Sequence, residues 1–125
     1  MAIIALDFDG TLVTHEYPYI GIELPNMLNV IKKLQAKGHQ FILFTMRSGE
    51  TLDQAVQWCT ERNIKFFGIN ENPQQAEWSA SRKVYAQHYI DDAAIGVPLV
   101  YPPGGKRPYV DWVKIEPILE DYLLL

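Results

Sequence analysis

The chain has 125 residues, 48% of them hydrophobic, a formal net charge of -4 and a single cysteine. This is the composition of one packed globular domain spanning residues 1–125, not of a disordered chain. The lone Cys59 excludes an internal disulfide and suits a reducing compartment, and the negative balance argues against bulk attraction to nucleic acid.

The chain begins MAIIALDFDG. It lacks a basic leader, and its apolar run stops at Asp7, so the expectation is no signal peptide, no membrane span and a cytoplasmic location. Residues 2–6 (AIIAL) form a short apolar run, as a strand buried on both faces does. Residues 24–37 place Leu24, Met27, Leu28, Ile31 and Leu34 at helical spacing, with Pro25 near the start and Gly38 just past the end. A second apolar run covers 40–45 (QFILFT). Residues 50–62 then carry Leu52, Ala55, Val56 and Cys59 on one helical face, with Glu50 and Asp53 in the first turn. Further strand candidates are 65–69 (KFFGI), 84–90 (VYAQHYI) and 97–101 (VPLVY), the last weakened by Pro98. A final helical pattern over 111–123 uses Trp112, Ile115, Leu119 and Tyr122, with Pro117 predicting a kink or a late start.

Strands alternating with helices predict an α/β fold, a parallel sheet with helices on both faces. Ligands of such sheets bind beyond the carboxyl ends of the strands. The chemistry is therefore expected just after residues 6, 45 and 90. Those places hold Asp7-Phe8-Asp9-Gly10-Thr11, Thr45-Met46-Arg47-Ser48, and Asp91-Asp92 preceded by Lys83. Up to four carboxylates would meet there. Two such charges roughly 5 Å apart repel by about 3 kcal/mol at an effective dielectric near 20. One lysine does not offset that, so the cluster calls for protons or a divalent cation. Oxygen ligands without histidine or cysteine favour a hard ion, Mg²⁺ first. Gly10 allows close backbone approach to an anion. The Thr45 hydroxyl and the amides near Met46 and Arg47, at a helix start, suit phosphate oxygens.

With those residues in view, the chain resembles the haloacid dehalogenase superfamily, in its small, minimally capped branch. DFDGT after an apolar strand, a threonine closing the next, a later lysine and an apolar strand ending in DD match its four motifs in order over residues 3–96. The resemblance implies a three-layer Rossmann-like fold without a sizeable cap, because residues 12–23 and 70–80 leave no room for one. It also implies a phosphatase that uses Mg²⁺. In that reading Asp7 is the nucleophile, carries an aspartyl-phosphate and ligates the metal. Asp9 is the general acid/base and ligates metal through its carbonyl. Gly10, Thr45, Met46, Arg47 and Lys83 surround the phosphoryl group. Asp91 ligates the metal, with Asp92 as a ligand or in support. The expected partner is a small phosphorylated substrate or a phosphorylated macromolecule, and a homo-oligomer is compatible with an open site.

Several positions admit two readings. Arg47 is a phosphate contact or an ion-pair partner of the first helical turn. Arg82 competes with Lys83 as the site cation. His15, Tyr17 and Tyr19 on the 12–23 flap, and Trp78, contact substrate or pack locally. Lys106 and Arg107 in PPGGKRP read as solvated, Cys59 as core, and His39 and His88 as lacking metal-ligand partners. At the level of the whole chain, the alternatives are a receiver-type phospho-acceptor and an inactive metal-binding scaffold. A receiver domain carries an adjacent acidic pair after its first strand, where this chain has DxDGT.

Overall fold

A computed structural model describes all 125 residues. Its sheet has four parallel strands in the order β3-β2-β1-β4, with β1 Ile3–Leu6, β2 Gln40–Leu43, β3 Gly68–Ile69 and β4 His88–Ile90. β1 is central, which explains its unbroken apolar sequence: Ile4, Ala5 and Leu6 are all buried, as an inner strand of a covered sheet requires.

Helix α1 spans Met27–Ala36 and α2 spans Gly49–Glu61. α1 ends as its sequence predicts. The amide of Gly38 donates to the carbonyl of Gln35, and that of His39 to Leu34. This double closure needs a left-handed residue, and Gly38 supplies it at φ 86°. Its start is later than expected, because Asn26 adopts φ 66° and turns the chain just before Met27.

Helix α3 spans Trp112–Asp121, and the Asp111 side chain caps it by accepting from the amides of Val113 and Lys114. Pro117 lies inside the helix without ending it. The carbonyl it leaves unpaired belongs to Val113, an exposed residue that water can serve.

One apolar cluster unites Val30, Ile31 and Leu34 of α1, Ala55, Trp58 and Cys59 of α2, and Trp112, Ile115 and Leu119 of α3 with Ile4, Leu6, Phe41 and Leu43 of the sheet. Strand alternation puts those four sheet residues on one face. Ala5 and Ile42 are buried on the other face, outside that cluster. Residues 70–87 lie over this second face as bends, turns and one 3-10 turn, without a long helix. Tyr89, which faces the same way as its neighbour Ala5, donates its hydroxyl to the carbonyl of Val84. The segment is organised by two buried amides. Gln75 donates to the carbonyls of Ser81 and Lys83 and accepts from the amide of Tyr85, and Asn72 donates to the carbonyl of Tyr85. The predicted strand over 84–90 is consequently a strand only from His88.

The strand predicted over 97–101 does not join the parallel sheet. Its core, β5 Leu99–Val100, pairs antiparallel with β6 Tyr109–Val110. This hairpin is pinned to the first strand's loop by the Val110 amide, which donates to the carbonyl of Gly10 at 2.9 Å. No helix is long and apolar enough to cross a membrane. No large cap is present, as the short loops predict.

Candidate active site

The carboxyl ends of β1, β2 and β4 open into a cavity of about 540 Å³. Asp7 and Asp9 enter it from β1, Thr45, Met46 and Arg47 from β2, and Asp91 and Asp92 from β4. A larger hollow of about 780 Å³ lies at the opposite ends of the strands, beside His39 and Gln40, and has no carboxylate in its wall.

Asp7, Asp91 and Asp92 each offer an oxygen such that the three lie within 4.8 Å of one another. Thr11 braces this group. Its hydroxyl donates to Asp7 Oδ2 at 2.9 Å and accepts from the amide of Asp92 at 3.1 Å, while its carbonyl accepts from Trp112 Nε1. Burial pushes the Asp7 carboxyl from its ordinary value of 3.8 up to about 8, and Asp92 and Asp91 beside it add to the shift, against the Thr11 hydroxyl. Asp91 is also raised, chiefly by burial, with Asp92 adding and the Ala93 amide opposing. Crowded carboxylates that resist ionising are what a hard divalent cation relieves, and three carboxylate oxygens are its preferred ligands. The residues present therefore fit such an ion.

Asp9 stands apart from this trio. Both its oxygens accept from Arg47, Oδ2 from Nε and Oδ1 from Nη2, each at 2.8 Å. The same guanidinium donates to the carbonyls of Pro18, Tyr19 and Thr51 and lies 5.0 Å from the Phe8 ring and 5.2 Å from the Tyr17 ring. Every face of Arg47 is thus in use, and its side chain is 1% exposed. This corrects the expectation of a phosphate contact. Arg47 does pair with an acid, but with Asp9 and not with the first turn of α2, and it clasps the flap at residues 18 and 19. As for metal, the Asp9 side chain is outside the carboxylate group, while its carbonyl receives no hydrogen bond from the protein.

Gly10 also serves a different purpose from the one expected. It is buried at φ 81°, and a Cβ there would sit 2.0 Å from His15 Nε2 and 2.6 Å from Asp92 Oδ2. The space is taken by the His15–Asp92 pair, whose atoms are 2.8 Å apart. Gly10 thus makes room for that contact, not for an anion. His15, left open between substrate and packing, is a fixture of the carboxylate cluster.

Thr45 and Met46 do line the cavity. The Thr45 hydroxyl accepts from the Arg47 amide and keeps its own proton to donate. The Met46 amide has no protein acceptor. Lys83 does not line the cavity. Its side chain is exposed, with Nζ 5.8 Å from the Tyr89 ring centroid, because Gln75 holds its backbone over the second face of the sheet. Arg82 lies beside a separate hollow with Asn70 and Ser81. Trp78 packs edge-on against Tyr85, away from the site. On the flap, the Tyr17 side chain reaches the cavity while Tyr19 contributes its carbonyl.

Two participants escaped the sequence. Thr11 carried a signal in its place within DFDGT. Arg107 lines the cavity, yet nothing in PPGGKRP announces the hairpin that brings it there. Cys59 is buried, and burial pushes its thiol up to about 12, as befits core packing.

The arrangement can hold a divalent cation on three carboxylates, and one of them, Asp7, lines the same cavity as Thr45 and Met46. A solved structure, that of a conserved protein from Bacteroides thetaiotaomicron, is similar to this chain at 36% identity with a TM-score of 0.79, covering 97% of this chain and 91% of that one. No curated protein matches. The family model of haloacid dehalogenase-like hydrolases matches residues 4–97, from β1 through the Asp91-Asp92 pair, and the chain belongs to that family.

Proposed function

We propose that the protein is a Mg²⁺-dependent phosphohydrolase that cleaves phosphomonoesters through an aspartyl-phosphate on Asp7. The observation that carries this reading is the convergence of Asp7, Asp91 and Asp92 within 4.8 Å at the floor of an open cavity. Bound there, Mg²⁺ would supply charge neutralisation for the carboxylates and the phosphoryl oxygens. Asp7 attacks phosphorus and the ester oxygen departs; water then attacks the phosphorylated Asp7 and releases inorganic phosphate. The Met46 amide and the Thr45 hydroxyl donate to the phosphoryl oxygens. Thr11 orients Asp7 by donating to its Oδ2.

Asp9 acts as general acid and then base. Both of its oxygens accept from Arg47, so Asp9 must turn from the guanidinium before it hands a proton to the leaving oxygen. The partner is a small phosphorylated molecule or an exposed phosphoryl group on a macromolecule, since the cavity has no cap over it.

The test is release of inorganic phosphate from a panel of phosphorylated metabolites. Turnover should require Mg²⁺, stop with EDTA and return when Mg²⁺ is restored; metal-independent turnover would sink the reading. Asp9→Asn should slow release by about 10²–10⁴-fold, the usual worth of general acid/base catalysis, and an undiminished rate removes Asp9 from that role.

Mg²⁺ binding should also depend on pH. Asp7 titrates at about 8 in the metal-free fold against 3.8 ordinarily. The metal-free folded state therefore holds a proton that the unfolded chain loses. Asp7 destabilises the metal-free fold progressively as pH climbs from 3.8 toward about 8. Mg²⁺ replaces that proton, so the rise in melting temperature on adding Mg²⁺ should be larger at pH 8 than at pH 5. Equal shifts at the two pH values would mean that Asp7 is not a ligand.

A further inference from the structure

We infer that Arg107 makes this site select phosphomonoesters whose leaving group carries a second anionic group, a carboxylate or another phosphate. The inference rests on the phosphohydrolase reading for the direction in which the substrate lies. Two arginines line the cavity. Arg47 is committed to Asp9 and to three carbonyls. His15 Nε2 is committed to Asp92. Lys83 and Arg82 lie outside the cavity wall. Arg107 forms no ion pair with any carboxylate of the chain and no side-chain hydrogen bond. It is the one unengaged guanidinium facing the cavity.

Its position is imposed by the fold. Gly104 and Gly105 sit at φ 79° and 70°, a conformation that lets the chain reverse between β5 and β6. Two contacts then moor the returning side of the hairpin: the Val110 amide donates to Gly10 and Trp112 Nε1 to Thr11 at 2.6 Å, while the Asp111 amide closes the hairpin onto Pro98. Arg107 is three residues from the first of these anchors. The hairpin tip is thereby held beside the DFDGT loop, where an unanchored PPGGKRP segment would wander in solvent.

The phosphoryl group has its own donors at the β2 end, Thr45 and Met46. Arg107 enters from the hairpin and is exposed, so it meets the part of the substrate that extends out of the cavity, the leaving group. A guanidinium fork recognises carboxylate or phosphate oxygens in pairs. A neutral leaving group would leave it unused.

The test compares phenyl phosphate, carboxyphenyl phosphate and phenylene bisphosphate with Mg²⁺ present. In Arg107→Ala, kcat/KM for the two esters with a second anion should fall about tenfold further than for phenyl phosphate, mainly through KM, as loss of a charge-assisted contact predicts. Arg107→Lys should recover part of the difference, because it keeps the charge and loses the fork. Loss confined to the carboxylate or to the bisphosphate assigns the preferred anion. An equal loss on all three esters overturns the inference, since Arg107 would then serve the transferred phosphoryl group, and so does no loss on any. Calorimetric binding of carboxybenzylphosphonate against benzylphosphonate, wild type against Arg107→Ala, decides the same point without turnover. If the wild type hydrolyses none of the esters, the phosphohydrolase reading fails, while the binding comparison still decides on Arg107.

Discussion

Replacing Asp7 by Asn should reduce phosphate release by about 10⁴-fold or more, because no other group stands where the phosphoryl acceptor must be. The fold should survive. Asparagine has the same shape, and its carbonyl oxygen can still accept from the Thr11 hydroxyl that bonds Asp7 Oδ2. The substitution also removes one of three crowded carboxylates, the one that burial and its neighbours push furthest from its ordinary value. Metal-free Asp7→Asn should therefore melt at or above the wild-type temperature near pH 8, and its stabilisation by Mg²⁺ should shrink. Steady-state rates and thermal melts with and without Mg²⁺ check the three expectations together. Retained turnover in this variant would refute Asp7 as the nucleophile. A lowered metal-free melting temperature would instead show that its charge is compensated within the fold.

Arg47→Ala is the substitution expected to damage stability most. It deletes five hydrogen bonds from a side chain that is 1% exposed and leaves the Asp9 carboxylate, itself 17% exposed, without its partner. Breaking a buried pair from one side costs about 3–5 kcal/mol. The carbonyls of Pro18, Tyr19 and Thr51 lose their donor as well, so the flap and the start of α2 should loosen together. Arg47→Lys should fall between, since an ammonium keeps the charge but cannot span both Asp9 oxygens. Pairing Arg47→Ala with Asp9→Asn should cost less than the sum of the two single changes, because the orphaned charge is gone. Denaturant midpoints for the four proteins measure this. Strict additivity would show that the pair is not coupled, and a loss below about 1 kcal/mol for Arg47→Ala would place it among ordinary surface pairs.

The two experiments divide the site into parts with different duties. Asp7, Asp91 and Asp92 form the carboxylate cluster, where crowding costs stability and readies the site for a cation. Asp9 and Arg47 form a brace that ties the flap to the first and second strands. A carboxylate two residues from the nucleophile thus has a structural partner as well as the acid/base role proposed for it.

What the sequence determined by itself is local and periodic. The central strand, the three helices and the Gly38 closure of α1 follow from apolar spacing and from which residues tolerate particular backbone angles, and neighbours within a turn or two settle these. The same holds for the acid after β1, since a strand buried on both faces must stop where Asp7 begins. The late start or kink expected from Pro117 did not follow, because the Asp111 cap starts α3 at Trp112. Tertiary structure decided what depends on partners far apart in the chain. Arg47 meets Asp9 across 38 positions, and His15 meets Asp92 across 77. Lys83 stands outside the cavity, its carbonyl accepting from Gln75 Nε2, and Arg107 is brought in by a hairpin moored to Gly10 and Thr11. An arginine or lysine has the same propensities whether it ends in solvent or against a carboxylate. Its charge therefore acquires a direction only when the folded backbone decides which opposite charge lies within reach.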